Sequence, residues 1–182
     1  MLNRIRPVTF RVIRPGGSLN LFKVDFQKIS RIVREFEEKI KVFKKERTKM
    51  VAPGDKVLRQ RQHILDSIEN KLEKNLHHLY LLENYIFKLT QVERMTLKQR
   101  AGFTQALDEL REDINPKVLL LRNRHLIAAW KLLLETAGLL REGCSAQVAA
   151  EKLEKVFGYL MRRGNALLGI GQNLSKKEIF EL

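Results

Sequence analysis

The stretch Leu58–Ile86, LRQRQHILDSIENKLEKNLHHLYLLENYI, decides the fold. Leu58, Leu65, Leu72, Leu79 and Ile86 recur at heptad spacing, each of Ile68, Leu82 and Leu89 standing three residues after one of them, so one helix carries an apolar a/d stripe along its length. Upstream, Phe22, Phe26, Ile29, Val33, Phe36, Ile40 and Phe43 alternate steps of four and three, and Met50 rejoins that phase after Arg47 interrupts it. Pro53-Gly54 separates the two seams. Heptad helices on either side of a tight turn fold most simply as an antiparallel hairpin, because a short connection makes sequence neighbours into spatial neighbours. The spacing predicts a first helix of about 43 Å and a second, from near Asp55 to near Met95, of about 60 Å. Arg61 and Asn75 fall on seam positions, where a buried polar residue sets register at some cost in stability. The simpler expectation places both at the rim.

Downstream the elements shorten. Thr96-Leu-Lys-Gln99 has the form of a capping box, and an amphipathic segment from Phe103 to Ile114 stops at Asn115-Pro116. Residues 117–142 are apolar on nearly every face, through Leu119, Leu120, Leu121, Leu126, Ile127, Trp130, Leu133, Leu134 and Leu140, which predicts the central helix of a bundle. Gly143 closes that helix, and Ser145 caps the next, whose stripe is Val148, Ala149, Leu153, Val156, Phe157, Leu160 and Met161. Gly164, Gly169 and Gly171 then mark a loose end. The resulting expectation is an all-α fold: a short basic N-terminal arm or strand over residues 1–20, a long coiled-coil-like helical hairpin over 21–100 turning at 53–54, a compact helical bundle over 101–172, and a tail over 173–182.

Charge is distributed unevenly along this plan. Residues 1–61 hold 17 Lys/Arg against 6 Asp/Glu, a surplus of +11 out of a net +14 for the 182-residue chain. Such a basic end points to a polyanionic partner, nucleic acid or an anionic membrane surface, more than to an acidic small molecule. The densest part surrounds the expected turn, where Lys39, Lys41, Lys44, Lys45, Arg47, Lys49, Lys56, Arg59 and Arg61 are opposed only by Glu46 and Asp55. In a hairpin these side chains converge from both helices on one end of a rod, able to neutralise several phosphates and release their counterions. Arg4, Arg6, Arg11 and Arg14 offer a second contact. Phe36 and Phe43 belong to the seam, so stacking platforms are missing and the expected mode is phosphate contact with little base specificity.

The acid-free first 24 residues have the composition of an organelle transit peptide, but Val8–Ile13 has β-type residues and Pro15-Gly16-Gly17-Ser18 is turn chemistry, which favours an arm or strand. A secretory signal is excluded by the lack of an apolar core. No apolar run reaches the length of a membrane span; Leu126–Leu140 is interrupted by Lys131 and Glu135. With Cys144 as its one cysteine the chain fits a reducing compartment, the cytoplasm, or an organelle matrix if the N-terminus is a targeting segment.

Catalytic patterns are sparse, and a non-enzymatic protein without cofactor or metal is expected. Gly164-Asn-Ala-Leu-Leu-Gly169-Ile-Gly171 lacks the Gly-Lys-Ser/Thr of a P-loop. Glu69, Glu73 and His77 share a helical face at spacings of four, which reads as an exposed salt-bridge face more readily than as a metal site. Cys144, ahead of a helix, reads as an ordinary small residue in the absence of a basic partner. Leu107-Asp-Glu-Leu-Arg111-Glu-Asp-Ile114, followed by Arg124 and Lys131, resembles the opening of the all-helical chorismate mutases, whose arginines and lysine hold a dicarboxylate. Pro116 would break the long helix that family needs. A DNA-binding zipper needs an uninterrupted basic helix, which Pro53-Gly54 prevents.

In overall character, small, basic and helical, the chain is similar to the small subunits of CRISPR effector complexes. The resemblance implies an accessory role in a ribonucleoprotein or DNA-processing complex. A coiled-coil adaptor meeting other protein subunits through exposed heptad seams is the alternative, and peripheral contact with anionic lipid is a third.

Overall fold

The computed structural model describes residues 24–48, 56–115 and 123–180. They form five helices: α1 (Phe26–Thr48), α2 (Lys56–Thr90), α3 (Leu97–Asp113), α4 (Arg124–Glu142) and α5 (Ala146–Phe180). The fold is all-α. The N-terminal arm or strand, the Pro53-Gly54 turn and Leu119–Leu121 lie outside the described residues.

Local chemistry sets the helix ends. Asp25 Oδ1 accepts the Lys28 amide at 3.1 Å, and α1 starts at Phe26. Thr96 and Gln99 form a reciprocal capping box, so α2, which stops at Thr90, is separate from α3, which begins at Leu97. Asn123 accepts the amides of His125 and Leu126 to open α4, and Gly143, at φ 99°, closes it in the left-handed conformation. Ser145 Oγ accepts the Val148 amide at 3.2 Å at the start of α5. At 23 and 35 residues, α1 and α2 run about 35 and 52 Å, shorter than the seam pattern alone implies.

The hairpin is present. Phe26 meets Phe87 with ring centroids 5.1 Å apart, Tyr80 meets Glu37, Lys44 meets Glu73 and Arg47 meets Gln62, an antiparallel register along both helices. Both seams are buried: Ile29, Val33, Phe36, Ile40 and Phe43 on α1, and Leu65, Ile68, Leu72, Leu79, Leu82, Ile86 and Leu89 on α2. What covers them corrects the expectation of a free-standing pair with exposed seams. Helix α5, 35 residues long, packs along α2 more extensively than α1 does and also touches α1, so the rod has three helices. Gly164 lies beside Phe36 and Asn75, and Gly171 beside Phe43 and Ile68, which makes α5 parallel to α1 and antiparallel to α2. At the other end α3, α4 and the start of α5 pack antiparallel in succession, with Arg100 Nη1 donating to the carbonyls of Leu140 (3.0 Å) and Cys144 (2.7 Å). The helix shared by both parts is α5, and at this end α4 lies between α3 and α5, the central position that its composition predicts.

The glycines read as a loose end are interior to α5. A Cβ on Gly164 would stand 2.5 Å from Cζ of Phe36 and 2.7 Å from Nδ2 of Asn75; one on Gly171 would stand 2.7 Å from Cζ of Phe43. Bare backbone here lets α5 close on the phenylalanine seam. Asn75, expected at the rim, is fully buried, donating to the Leu160 carbonyl at 3.0 Å and accepting from Arg163 Nη1 at 3.1 Å. Gly164→Ala should therefore cost about 1–3 kcal/mol in urea unfolding through overpacking. Gly158→Ala, in the same helix with nothing within 4 Å of the new Cβ, should gain about 0.5–1 kcal/mol. Equal effects of the two would contradict the close approach.

Candidate nucleic-acid interface

The rod end formed by the end of α1 and the start of α2 carries the candidate residues, and the structure sorts them into groups. Lys49, Arg4, Arg6, Arg11 and Arg14 lie outside the described residues, and Lys56 opens α2. Lys39, Lys41, Lys45 and Arg59 are exposed, and Arg61 is half-buried. On a helix, Lys41 and Lys45 share a face with Arg34, whereas Lys39 is turned about 200° from Lys41. The α1 cations thus do not form one patch, and Lys41 is drawn to Glu38 at 3.3 Å.

Arg47 and Lys44 are committed to α2. Arg47, 12% exposed at its side chain, donates to Glu69 Oε2 at 2.5 Å, to Gln62 Oε1 at 3.2 Å and to Asp66. Burial opposes its charge, but the hydrogen bonds it donates to Asp66 and Glu69, together with their negative charge, outweigh that and hold the guanidinium above its ordinary pKa. Lys44 pairs with Glu73 in the same way across the two helices. These carboxylates stand one to three turns beyond the window in which the sequence shows only Glu46 and Asp55, so a local charge count overstates the free charge of the tip. Glu69 and Glu73 belong to this interhelical face; among the described residues no three His, Cys, Asp or Glu gather as a metal-binding group. Nearer the base Tyr80 donates to Glu37 Oε1 at 2.5 Å, and burial followed by Glu37 pushes its hydroxyl up to about 12.

Helix α2 is polarised across its width. One flank, Asp66, Glu69 and Glu73, faces α1. The other carries His63, Lys71, Lys74 and His78, which together with Asp66 line a cavity with Arg163 of α5. That flank has no compact signature in the sequence, because its members are spread over sixteen residues and are mixed with the acids.

His78 is buried, its Nε2 2.6 Å from Asp113 Oδ2 and its Nδ1 without a hydrogen-bond partner. Burial lowers its pKa below the ordinary 6.5, against the pull of Asp113 and with help from His77 and Lys74. Asp113, hydrogen-bonded to His78, is held below its ordinary value. The pair has the form of the orienting half of a hydrolytic triad, but Ser67 in the same cavity is eleven residues from His78 along α2, about 16 Å of helix rise, out of reach. Burial pushes the Cys144 thiol up, away from the reactive range. Arg111 lies over the Trp130 ring at 5.4 Å, while Arg124 and Lys131 are exposed.

Among the described residues no helix is long and apolar enough to cross a membrane. Comparison with protein-family models, with curated proteins and with solved structures gave no match.

The two clusters make separate predictions. Arg47→Ala strands Asp66 and Glu69 beside each other and should cost about 1–3 kcal/mol in urea unfolding, which makes it unsuitable as a binding probe. For His78 the unfolded chain takes up a proton more readily than the folded one, so its contribution to stability is complete above the ordinary value of 6.5 and is lost as pH falls through it. His125, also held low by burial and by Arg124 and Arg162, acts in the same direction. Thermal denaturation followed from pH 8 to 5 should show a falling midpoint, with a shallower fall in His78→Phe; an unchanged slope in the variant would refute the assignment.

Proposed function

We propose that this protein binds nucleic-acid backbone, without base specificity, through the exposed cations at the free end of the α1–α2 pair, and that it acts as a binding subunit and not as a catalyst. The observation that carries the reading is that Lys39, Lys41, Lys45 and Arg59 stay exposed towards one end of the rod, Lys39 on a different face from Lys41 and Lys45, after Lys44 and Arg47 have been neutralised by α2 and with Lys41 opposed by Glu38 of its own helix. The large surplus of positive charge in the first third of the chain, N-terminal arginines included, supports it. Phosphate contacts from flexible lysines position a polyanion but read no sequence, so affinity should depend steeply on salt and little on base order. Membership of a larger ribonucleoprotein or DNA-processing complex is the finer form of the same proposal.

A protein partner at this end is the second reading. Val42 and Ile64 are 51% and 47% exposed there, large apolar side chains that a subunit contact would cover. With the heptad seams filled by α5, such a contact would have to use these outer residues.

The test is fluorescence anisotropy of labelled single- and double-stranded DNA and RNA across a salt series. Replacing Lys39, Lys41, Lys45 and Arg59 with Gln should reduce the magnitude of the duplex log–log salt slope by up to about 3.6, near 0.9 for each phosphate no longer neutralised, while circular dichroism stays unchanged. Binding with an unaltered slope would remove these residues from the interface. No binding at low salt would shift the weight to the protein partner.

A further inference from the structure

The cavity between α2, the end of α3, the start of α4 and α5 has a volume of about 460 Å³. Its distinguishing member is Arg163, 6% exposed, whose described hydrogen bond is the one to Asn75 Oδ1. Among the described residues no carboxylate pairs with it, and burial alone lowers its pKa. Asp66, the acid in the cavity lining, is engaged by Arg47, and nearby Asp113 is engaged by His78. Residues 1–23 and 116–122 contain no Asp or Glu, and the acids outside the described residues are Asp55 and Glu181. A buried guanidinium without a counter-ion is costly to a fold and is retained where an anion completes it.

The surroundings suit such an anion. Lys71 and Lys74, three residues apart on α2, line the same cavity, so three cations converge from two helices. Ser67 and Asn70 add a hydroxyl and an amide, and Ile114 and Leu126 supply an apolar wall. Asn75 holds Arg163 in place: its amide nitrogen is fixed by the Leu160 carbonyl, leaving its oxygen to accept from Nη1. Only one of the five N–H donors of the guanidinium is spent there. A planar fork that shares a cavity with two lysines matches a phosphate better than a single carboxylate, because a phosphate carries more charge and accepts more hydrogen bonds.

We propose that this cavity binds a small phosphate monoester, its phosphate on Arg163, Lys71 and Lys74 and its apolar part against Ile114 and Leu126. The site uses none of the four cations assigned to the nucleic-acid contact, so either proposal can fail alone.

The test titrates the full chain with AMP, inorganic phosphate and adenosine, by calorimetry and by thermal denaturation. AMP should bind at least about tenfold more tightly than adenosine, with phosphate alone raising the melting temperature less than AMP. Phosphate matching AMP would reduce the site to one for the free ion and overturn the apolar half of the proposal. Lys71→Gln/Lys74→Gln, a surface change that leaves the fold intact, should abolish the preference for AMP over adenosine. Arg163→Met should lose AMP binding without losing helicity; if it fails to fold, the double lysine variant decides. Equal affinity for AMP and adenosine, no shift with either phosphate compound, or full AMP binding by the double variant would overturn the site. So would oligonucleotide binding that depends on Lys71 and Lys74 without any AMP binding, since it would assign these lysines to the polyanion surface.

Discussion

Helix α5 lies closer to the α1–α2 pair than any side chain at position 164 would allow, and the arrangement of the whole rod follows from that approach. Phe36 and Asn75 occupy the space a Cβ would need, and Gly171 repeats the device one phenylalanine further on, at Phe43. The helix-propensity cost of glycine, near 1 kcal/mol per residue, is offset by seams that would otherwise meet water. Burial of each large seam side chain is worth about 1.5–3 kcal/mol, and α5 covers the seams of both partners at once. The polar knot of Asn75, Leu160 and Arg163 fixes the register of that packing, because a slip of one turn would leave a buried amide and a buried guanidinium without their partners.

Helix α2 divides the electrostatics of the molecule. Its acidic flank neutralises Lys44 and Arg47 and so ties the most basic helix to the rod; its basic flank, with Arg163 behind it, lines a cavity in which cations outnumber the acids left to oppose them. The same helix thereby subtracts charge from the tip and concentrates it on the opposite side. Which cations remain available to a partner is decided by this division and not by their density in the chain.

Periodicity made the hairpin readable: Leu65, Leu72, Leu79 and Ile86, with Phe36 and Phe43 opposite, have no alternative that buries them as a pair of strands. Capping chemistry was readable too, at Thr96, Gly143 and Ser145, since each acts within four residues of itself. What escaped was long-range. Gly164 and Gly171 look like helix breakers in isolation, and only Phe36 and Phe43, more than a hundred residues upstream, explain them. Asn75 looked like a tolerated rim residue because its partners are on α5. The pairing of Arg47 with Asp66 and Glu69 was hidden for the same reason, since a charge window centred on the turn stops short of the acids that matter. The cavity around Arg163 gathers residues from four helices and has no local signature at all.

The parallel alignment of α5 with α1 has a consequence for the birth of the chain. The seam of α1 is completed by a helix made more than a hundred residues later, so during synthesis Phe36, Phe43 and the leucines of α2 stay uncovered until residues beyond Gly164 leave the ribosome. A hairpin with a bare aromatic stripe is then exposed throughout that interval, the kind of surface that chaperones hold and that drives association between nascent chains. Truncation ahead of Gly164 would leave that stripe permanently open.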